Sequence, residues 1–263
     1  MELGLRDKVA AITGGASGIG RACALRYLEE GGRVAVCGRN AAGLERFRER
    51  CREAGQSDRV LCEVADVACP ESLERFADET VRRFGGLDIW YNNAAMGLRK
   101  PLMDTSLDEW DTLMRVNLRA VFAGSRLAAE RMKEGGVIVN ASSFAARMPV
   151  AGNGLYAVSK WGVEGLTRVL AAELAPRGIR VFAYMPGMIE TELTRTHIER
   201  HREALTRPVA LNRLGVPEDL APTLVMLTSA LAGYVTGCTV EISGGKYCVQ
   251  NPDFAWDASS RTS

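Results

Sequence analysis

Thr13-Gly14-Gly15-Ala16-Ser17-Gly18-Ile19-Gly20 joins an apolar run over residues 8–13 (KVAAIT) to a helical pattern over 19–30 that stops at Gly31-Gly32. Glycines at such a junction let the backbone turn sharply and come close to a phosphate, whose charge then rests on the free amides of the helix N-terminus. The spacing is TGxxxGxG rather than the common GxGxxG, so the surroundings of the loop decide its meaning.

Working outward, short β-branched runs alternate with helical patterns along the whole chain. Strands are predicted over 33–37, 59–64, 87–91, 136–141, 179–184 and 239–242. Helices are predicted over 41–53, 71–84, 110–133, 156–174 and 217–228. The second of these starts after Pro70 and stops at Gly85-Gly86, the usual asymmetry of helix ends. The strands are apolar throughout rather than alternating, as expected for a parallel sheet covered on both faces. The expected fold is therefore α/β: a single Rossmann-type doubly wound parallel sheet of about seven strands flanked by helices, forming one dinucleotide-binding and catalytic domain over 1–263. Ligands then belong outside the carboxyl ends of the strands.

Composition narrows the function classes. The 263 residues carry 33 Lys+Arg against 32 Asp+Glu, a net charge of +1, with 47% hydrophobic residues. Balanced charge offers no basic footprint for nucleic acid or an anionic membrane. The longest apolar runs fall far short of the roughly 20 residues of a membrane helix. Met1-Glu2-Leu3-Gly4-Leu5 has no basic stretch followed by an apolar one, so the expectation is a cytoplasmic protein with no secretory signal. Seven scattered cysteines without a CxxC pair read as reduced thiols. The only histidines, His197 and His201, stand four apart without a third ligand nearby, and are read as an exposed helix face; no metal is expected.

Two further stretches carry chemistry. After the second strand, Val36-Cys37-Gly38-Arg39-Asn40 lacks the acid that would grip a ribose 2′-hydroxyl, and Arg39 offers a permanently charged donor fork suited to a 2′-phosphate. NADP(H) is therefore the expected coenzyme. Tyr156-Ala157-Val158-Ser159-Lys160 puts a phenol and an ammonium on one helix face, just after a strand that ends in Ser142-Ser143. An unperturbed phenol titrates near 10, and a neighbouring ammonium is expected to bring it toward working pH. Tyr156 would then exchange a proton with a substrate oxygen that Ser143 also hydrogen-bonds.

In these ordered motifs the chain resembles the short-chain dehydrogenase/reductase family, with a pattern close to its 3-oxoacyl-carrier-protein-reductase-like members, over roughly residues 5–245. The resemblance implies a coenzyme loop of Gly14, Ser17, Gly18, Ile19 and Gly20, and an adenine contact from Asp66-Val67. Asn92-Asn93-Ala94-Ala95 is similar to the family's NNAG motif, which makes Asn93 and Ala94 coenzyme contacts; Ala95 replaces the usual glycine. A catalytic tetrad of Asn117, Ser143, Tyr156 and Lys160 is implied. Asn117 would hold a water in the proton relay, and Lys160 would also bind the nicotinamide ribose beside Tyr156. Ser143 stands thirteen positions before Tyr156, the family separation, which favours it over Ser142. Pro186, Gly187, Ile189 and Thr191 resemble the segment that meets the nicotinamide. Arg213-Leu214-Gly215 and Ile242-Ser243-Gly244-Gly245 resemble the C-terminal signatures. A homotetramer or homodimer built partly on the helix carrying Tyr156 is implied as well.

On the substrate side, Phe144, Met148, Pro149, Val150, Leu155 and Met188 favour a small hydrophobic carbonyl or alcohol compound, with residues of about 190–213 as a lid. Arg195, Arg200, Arg202 and Arg207 of that lid are weighed as contacts for a phosphopantetheine or CoA, against a solvated charged helix. The tail of about 246–263 holds Tyr247, Phe254 and Trp256 and is expected to dock on a neighbouring subunit. The alternatives are a catalytically silent nucleotide-binding or scaffolding protein, and an NAD-dependent alcohol or hydroxysteroid dehydrogenase. A sugar epimerase or dehydratase would need a GxxGxxG loop and a longer C-terminal region.

Overall fold

The computed structural model describes residues 2–256. Its elements run β1 (Val9–Thr13), α1 (Gly18–Glu29), β2 (Arg33–Gly38), α2 (Ala41–Glu53), β3 (Val60–Val64), α3 (Pro70–Phe84) and β4 (Ile89–Asn92). They continue with α4 (Leu107–Met114), α5 (Ala120–Arg131), β5 (Gly136–Ala141), α6 (Phe144–Arg147), α7 (Gly154–Leu174), β6 (Ile179–Pro186), α8 (Arg195–Thr206), α9 (Pro217–Thr228) and β7 (Thr239–Ile242). The seven strands form one sheet in the order β3-β2-β1-β4-β5-β6-β7, all parallel.

Residues alternate between two cores along each central strand. Ala10, Ile12, Val34, Val36, Tyr91 and Val139 pack with Tyr27 and Leu224 on one face. Ala11, Ala35, Trp90, Ile138 and Val181 pack with Phe76 and Leu127 on the other. Both faces are apolar, which is why the central strands read as continuous apolar runs. The chain winds outward from β1 to β3 and then crosses back to pair β4 with β1. That reversal opens a crevice at the carboxyl ends of β1 and β4, where the glycine loop meets Asn93.

The predicted helix over 110–133 differs in detail. It begins earlier, at Leu107, because Ser106 and Glu109 close a capping box. It is also interrupted by a π-helical turn over Arg115–Arg119 before α5 resumes. One extra residue in such a turn rotates the side chains that follow it, and hydrophobic periodicity does not register it. Two helices have no counterpart in the predicted set: the single turn α6, and α8, which is kinked at His201 within the expected lid. No helix among the described residues is long and apolar enough to cross a membrane.

Candidate active site

Asn93 ties the crevice together. Its amide donates to the carbonyls of Thr13 (2.9 Å) and Gly14 (3.2 Å), and its Oδ1 accepts from the Tyr184 hydroxyl at 2.7 Å. The Thr13 hydroxyl oxygen accepts in turn from the backbone amides of Asn93 and Ala94. Gly14 sits at φ 64°, with Ala94 Cα and the Asn93 amide 3.1 Å from where a Cβ would lie. At Gly20 a Cβ would come within 2.6 Å of both the Asn93 Nδ2 and the Gly14 carbonyl oxygen. The spacing of the glycines therefore follows from the approach of β4 to the loop, as well as from any ligand.

Ser17 is the N-cap of α1, yet its exposed side chain makes no cap hydrogen bond. The first-turn amides are thus left to an external acceptor, the arrangement that receives a pyrophosphate.

A continuous cavity of about 1010 Å³ runs along the carboxyl ends of the strands. Of the sequence-predicted residues, Gly14, Ser17, Gly18, Ile19, Arg39, Asp66, Val67, Asn93, Ala94, Ser143, Tyr156, Lys160, Pro186, Gly187, Ile189 and Thr191 line it. Gly20 and Asn117 do not. Gly20 lies one layer behind, and Asn117 is fully buried in the π-helical turn. The Asn117 Oδ1 accepts from the Met96 amide, while its Nδ2 donates to the Met96 carbonyl and to Ser159 Oγ, so its side chain clamps the loop after β4. Arg39 is exposed beside the cavity, and Arg46 and Arg50 of α2 line the same cavity. No acid stands at the end of β2.

At the other end, α7 starts two residues before Tyr156, which places the phenol in its first turn at the cavity wall. The Ser143 hydroxyl is within hydrogen-bonding reach of that phenol. Ser142 is engaged elsewhere: its hydroxyl donates to Glu164 at 2.8 Å. Lys160 is 1% exposed, donates to the Ala141 carbonyl at 2.8 Å, and has its Nζ 5.7 Å from the centre of the Tyr156 ring.

The electrostatics correct one expectation. Burial raises the Tyr156 pKa above the ordinary phenol value, and the Ser143 hydrogen bond only partly offsets it. Burial also brings Lys160 down to about 8. Desolvation disfavours the charged form of each group, and the ammonium points to a backbone carbonyl rather than to the phenolic oxygen. The predicted lowering of the phenol by the lysine is therefore not what this geometry produces.

The C-terminal signatures brace the nicotinamide-side segment. The Gly215 amide donates to the Met188 carbonyl (3.0 Å) and the Glu190 amide to that of Gly215 (2.8 Å), while Arg213 binds Asp219 at the start of α9 with both guanidinium ends. Thr191 shares a hydroxyl contact with Thr194, whose own hydroxyl donates to Ile189 O at 2.6 Å; Thr194 also lines the cavity and has no sequence motif to mark it.

On the substrate side Phe144, Met148, Val150 and Met188 line the cavity, whereas Pro149 and Leu155 do not. Leu155 is buried in the core. None of the four lid arginines lines this cavity; Arg202 pairs with Glu190 and Arg207 with Asp253. His197, read as exposed, is partly buried and lines the cavity, with its ring 4.9 Å from that of His201. No group of three or more metal-ligating side chains occurs among the described residues. The described part of the tail folds back on its own chain: Tyr247 stacks on Phe144 of α6, and the Trp256 indole donates to Ala210 O of the lid at 2.9 Å. Residues 257–263 of the expected tail lie outside the described residues. Sequence reasoning missed Tyr184, Thr194, Arg99 and Lys246, which line the cavity from outside the recognised motifs; Tyr247, named only as part of the tail expected to dock on a neighbouring subunit, lines it as well.

Comparison with known proteins agrees with this geometry. A family model described as enoyl-(acyl carrier protein) reductase matches residues 14–246. The 3-oxoacyl-[acyl-carrier-protein] reductase of Vibrio cholerae is 34% identical, covering 94% of this chain and all of that protein. The 3β-hydroxysteroid dehydrogenase 1 of Eggerthella lenta is 37% identical, with 92% and 94% covered. A crystal structure of a blue fluorescent protein from a metagenomic library, in complex with NADPH, superposes with a TM-score of 0.86 at 32% identity, covering 92% and 98%. The chain belongs to the short-chain dehydrogenase/reductase family and resembles its 3-oxoacyl-carrier-protein reductases. It is an oxidoreductase of that family.

Proposed function

We propose that this enzyme interconverts a ketone and a secondary alcohol with NADP(H), Tyr156 supplying or accepting the proton. The observation that carries the reading is that Tyr156, Ser143 and Lys160 share one continuous cavity with the glycine loop. The loop fits a dinucleotide: it lines the cavity, and the amides at the start of α1 lack a side-chain cap and so can meet an anion. Arg39, with Arg46 and Arg50 on the same cavity and no acid at the end of β2, favours a coenzyme bearing a 2′-phosphate. Gly14, Ser17, Gly18 and Ile19 would cradle the pyrophosphate, with Gly20 behind them. Asp66-Val67 would meet the adenine, and Asn93 and Ala94 the adjoining ribose. Pro186, Gly187, Ile189 and Thr191 would frame the nicotinamide.

The coenzyme, when bound, supplies or receives the hydride, and the protein aligns it and manages the proton. Because burial raises its pKa, Tyr156 keeps its proton at neutral pH. It releases that proton as negative charge grows on the substrate oxygen. Ser143 donates a second hydrogen bond to the same oxygen and so lowers the cost of that charge. Lys160, fixed by the Ala141 carbonyl, would hold the nicotinamide ribose beside Tyr156. Asn117 positions the loop after β4 through Met96 and, by the resemblance, holds a water of the relay.

Residues of about 190–213 form the lid. Exposed Val158, Trp161 and Val169 on α7 support a homotetramer or homodimer built on that helix. The test is a binding titration with NADPH and with NADH, followed by an absorbance assay over ketones that include acyl thioesters and sterols. Tighter NADPH binding and NADPH consumption with a ketone are the expected results; equal binding of the two coenzymes contradicts the NADP(H) assignment.

A further inference from the structure

Lys246 follows the last family signature and has no motif of its own. Its side chain is partly buried, and Nζ lies 5.3 Å from the centre of the Phe144 ring and 5.5 Å from that of Tyr247. Phe144 directly follows Ser143, and Lys246 lines the same cavity as Ser143 and Tyr156. No carboxylate pairs with it among the described residues. Several nearby acids are engaged elsewhere: Glu241 with Arg147, Glu190 with Arg202, Asp253 with Arg207, and Glu192 toward Arg21. Arg99, exposed and likewise without an ion pair, lines the same cavity, as does His197. The imidazole of His197 is held below its ordinary pKa by burial first and then by Arg99, His201 and Lys246.

The backbone fixes this arrangement at a cost. Tyr247 adopts φ 53°, a left-handed conformation rarely taken by a bulky residue. Such conformations persist where their surroundings impose them, and they concentrate at ligand sites. Here the surroundings are the lid: Lys246 bridges antiparallel to Val209, the Tyr247 amide donates to Pro208 O at 2.8 Å, and the Tyr247 ring stacks on Phe144 at 5.8 Å. The lid and the start of the tail therefore act as one piece that holds an unpaired ammonium over an aromatic wall. An ammonium left unpaired and partly desolvated is costly unless an anion joins it.

We infer that Lys246, assisted by Arg99 and His197, binds a carboxylate on the substrate, so that the enzyme acts on apolar oxo acids or hydroxy acids. This inference rests on the carbonyl–alcohol reading above and names its substrate class. Met148, Val150 and the Phe144–Tyr247 pair would receive the apolar body. Because Lys246 lies over Phe144, the residue after Ser143, the proposal places the carboxylate near the carbonyl. A thioester arm would carry its phosphate many bonds away from that carbon.

The test is calorimetric titration of the enzyme saturated with NADP⁺, which needs no turnover. The probes are benzoylformate, 3-benzoylpropionate, the methyl ester of each, and 4′-phosphopantetheine. At least one acid is expected to bind about tenfold or more tighter than its own ester, the change of one charge-assisted contact. Lys246→Gln is expected to bring that acid-to-ester ratio to within about threefold of unity, and Arg99→Gln to lower it less; Lys246→Arg is expected to restore it. Phosphopantetheine is expected to bind the wild type and K246Q equally. The inference is overturned if neither acid binds at concentrations up to about 10 mM, if both esters bind as tightly as their acids, if K246Q leaves the ratio intact, or if only phosphopantetheine depends on Lys246. The carbonyl–alcohol reading fails on a different result, the absence of NADPH consumption with every oxo acid, ester and ketone of the panel.

Discussion

The Lys160 ammonium stands 5.7 Å from the centre of the Tyr156 ring, but its hydrogen bond goes to the Ala141 carbonyl at 2.8 Å. The lysine is thereby anchored to the end of β5, beside the phenol ring rather than bonded to the phenolic oxygen. Both groups titrate against the cost of burial, in opposite directions.

That burial makes a prediction about stability. A lysine whose folded pKa is about 8, against 10.5 when exposed, binds fewer protons folded than unfolded between those values. Stability from this group therefore rises with pH from about 8 to 10.5, by at most about 3 kcal/mol at 1.4 kcal/mol per unit. Urea unfolding of the wild type and Lys160→Met at pH 7 and pH 10 checks it. The stability of the wild type relative to the variant is expected to grow with pH, and a constant difference would show that Lys160 is not desolvated.

Arg39→Ala is expected to weaken NADPH about tenfold to a hundredfold and NADH less than about threefold, since only the former carries the 2′-phosphate. Equal losses in a fluorescence titration would move the 2′-phosphate contact away from Arg39.

Gly20→Ala places a Cβ 2.6 Å from the Asn93 amide and the Gly14 carbonyl oxygen. Neither neighbour yields easily, because Asn93 also anchors Thr13 and Tyr184. A loss of about 1–3 kcal/mol in stability, together with weaker coenzyme binding, is expected by thermal unfolding and titration. An unchanged midpoint would mean that the loop retreats freely.

Ser143→Ala and Ser142→Ala separate two adjacent hydroxyls. The first is expected to lower kcat about a hundredfold, as loss of a donor to a developing oxyanion does. The second breaks only the contact with Glu164 and is expected to cost less than about tenfold. The reverse order in steady-state kinetics would reassign the oxyanion donor.

The glycine loop, the apolar strands and the Tyr156–Lys160 pair were legible because each is a local pattern tied to one backbone geometry. What the chain does not display locally was missed. The π-helical turn that turns Asn117 toward Met96 leaves no trace in periodicity. Nor could helical spacing show that His197 faces the cavity, since α8 is kinked at His201. Lys246 and Tyr247 meet Phe144 only because the tail folds back along the lid, a contact spanning a hundred positions of sequence. The direction of the Tyr156 shift was misjudged for a related reason. Sequence places the ammonium on the right helix face, but the depth of burial and the carbonyl at Ala141 belong to the folded protein.

The most direct measurement is NADPH consumption with a panel of ketones by the wild type and Tyr156→Phe, with coenzyme affinity measured alongside. The wild type is expected to oxidise NADPH, while the variant turns over about a thousandfold or more slowly and binds NADPH to within about threefold. A Tyr156→Phe enzyme that kept more than about a tenth of the wild-type rate would remove the phenol from proton transfer.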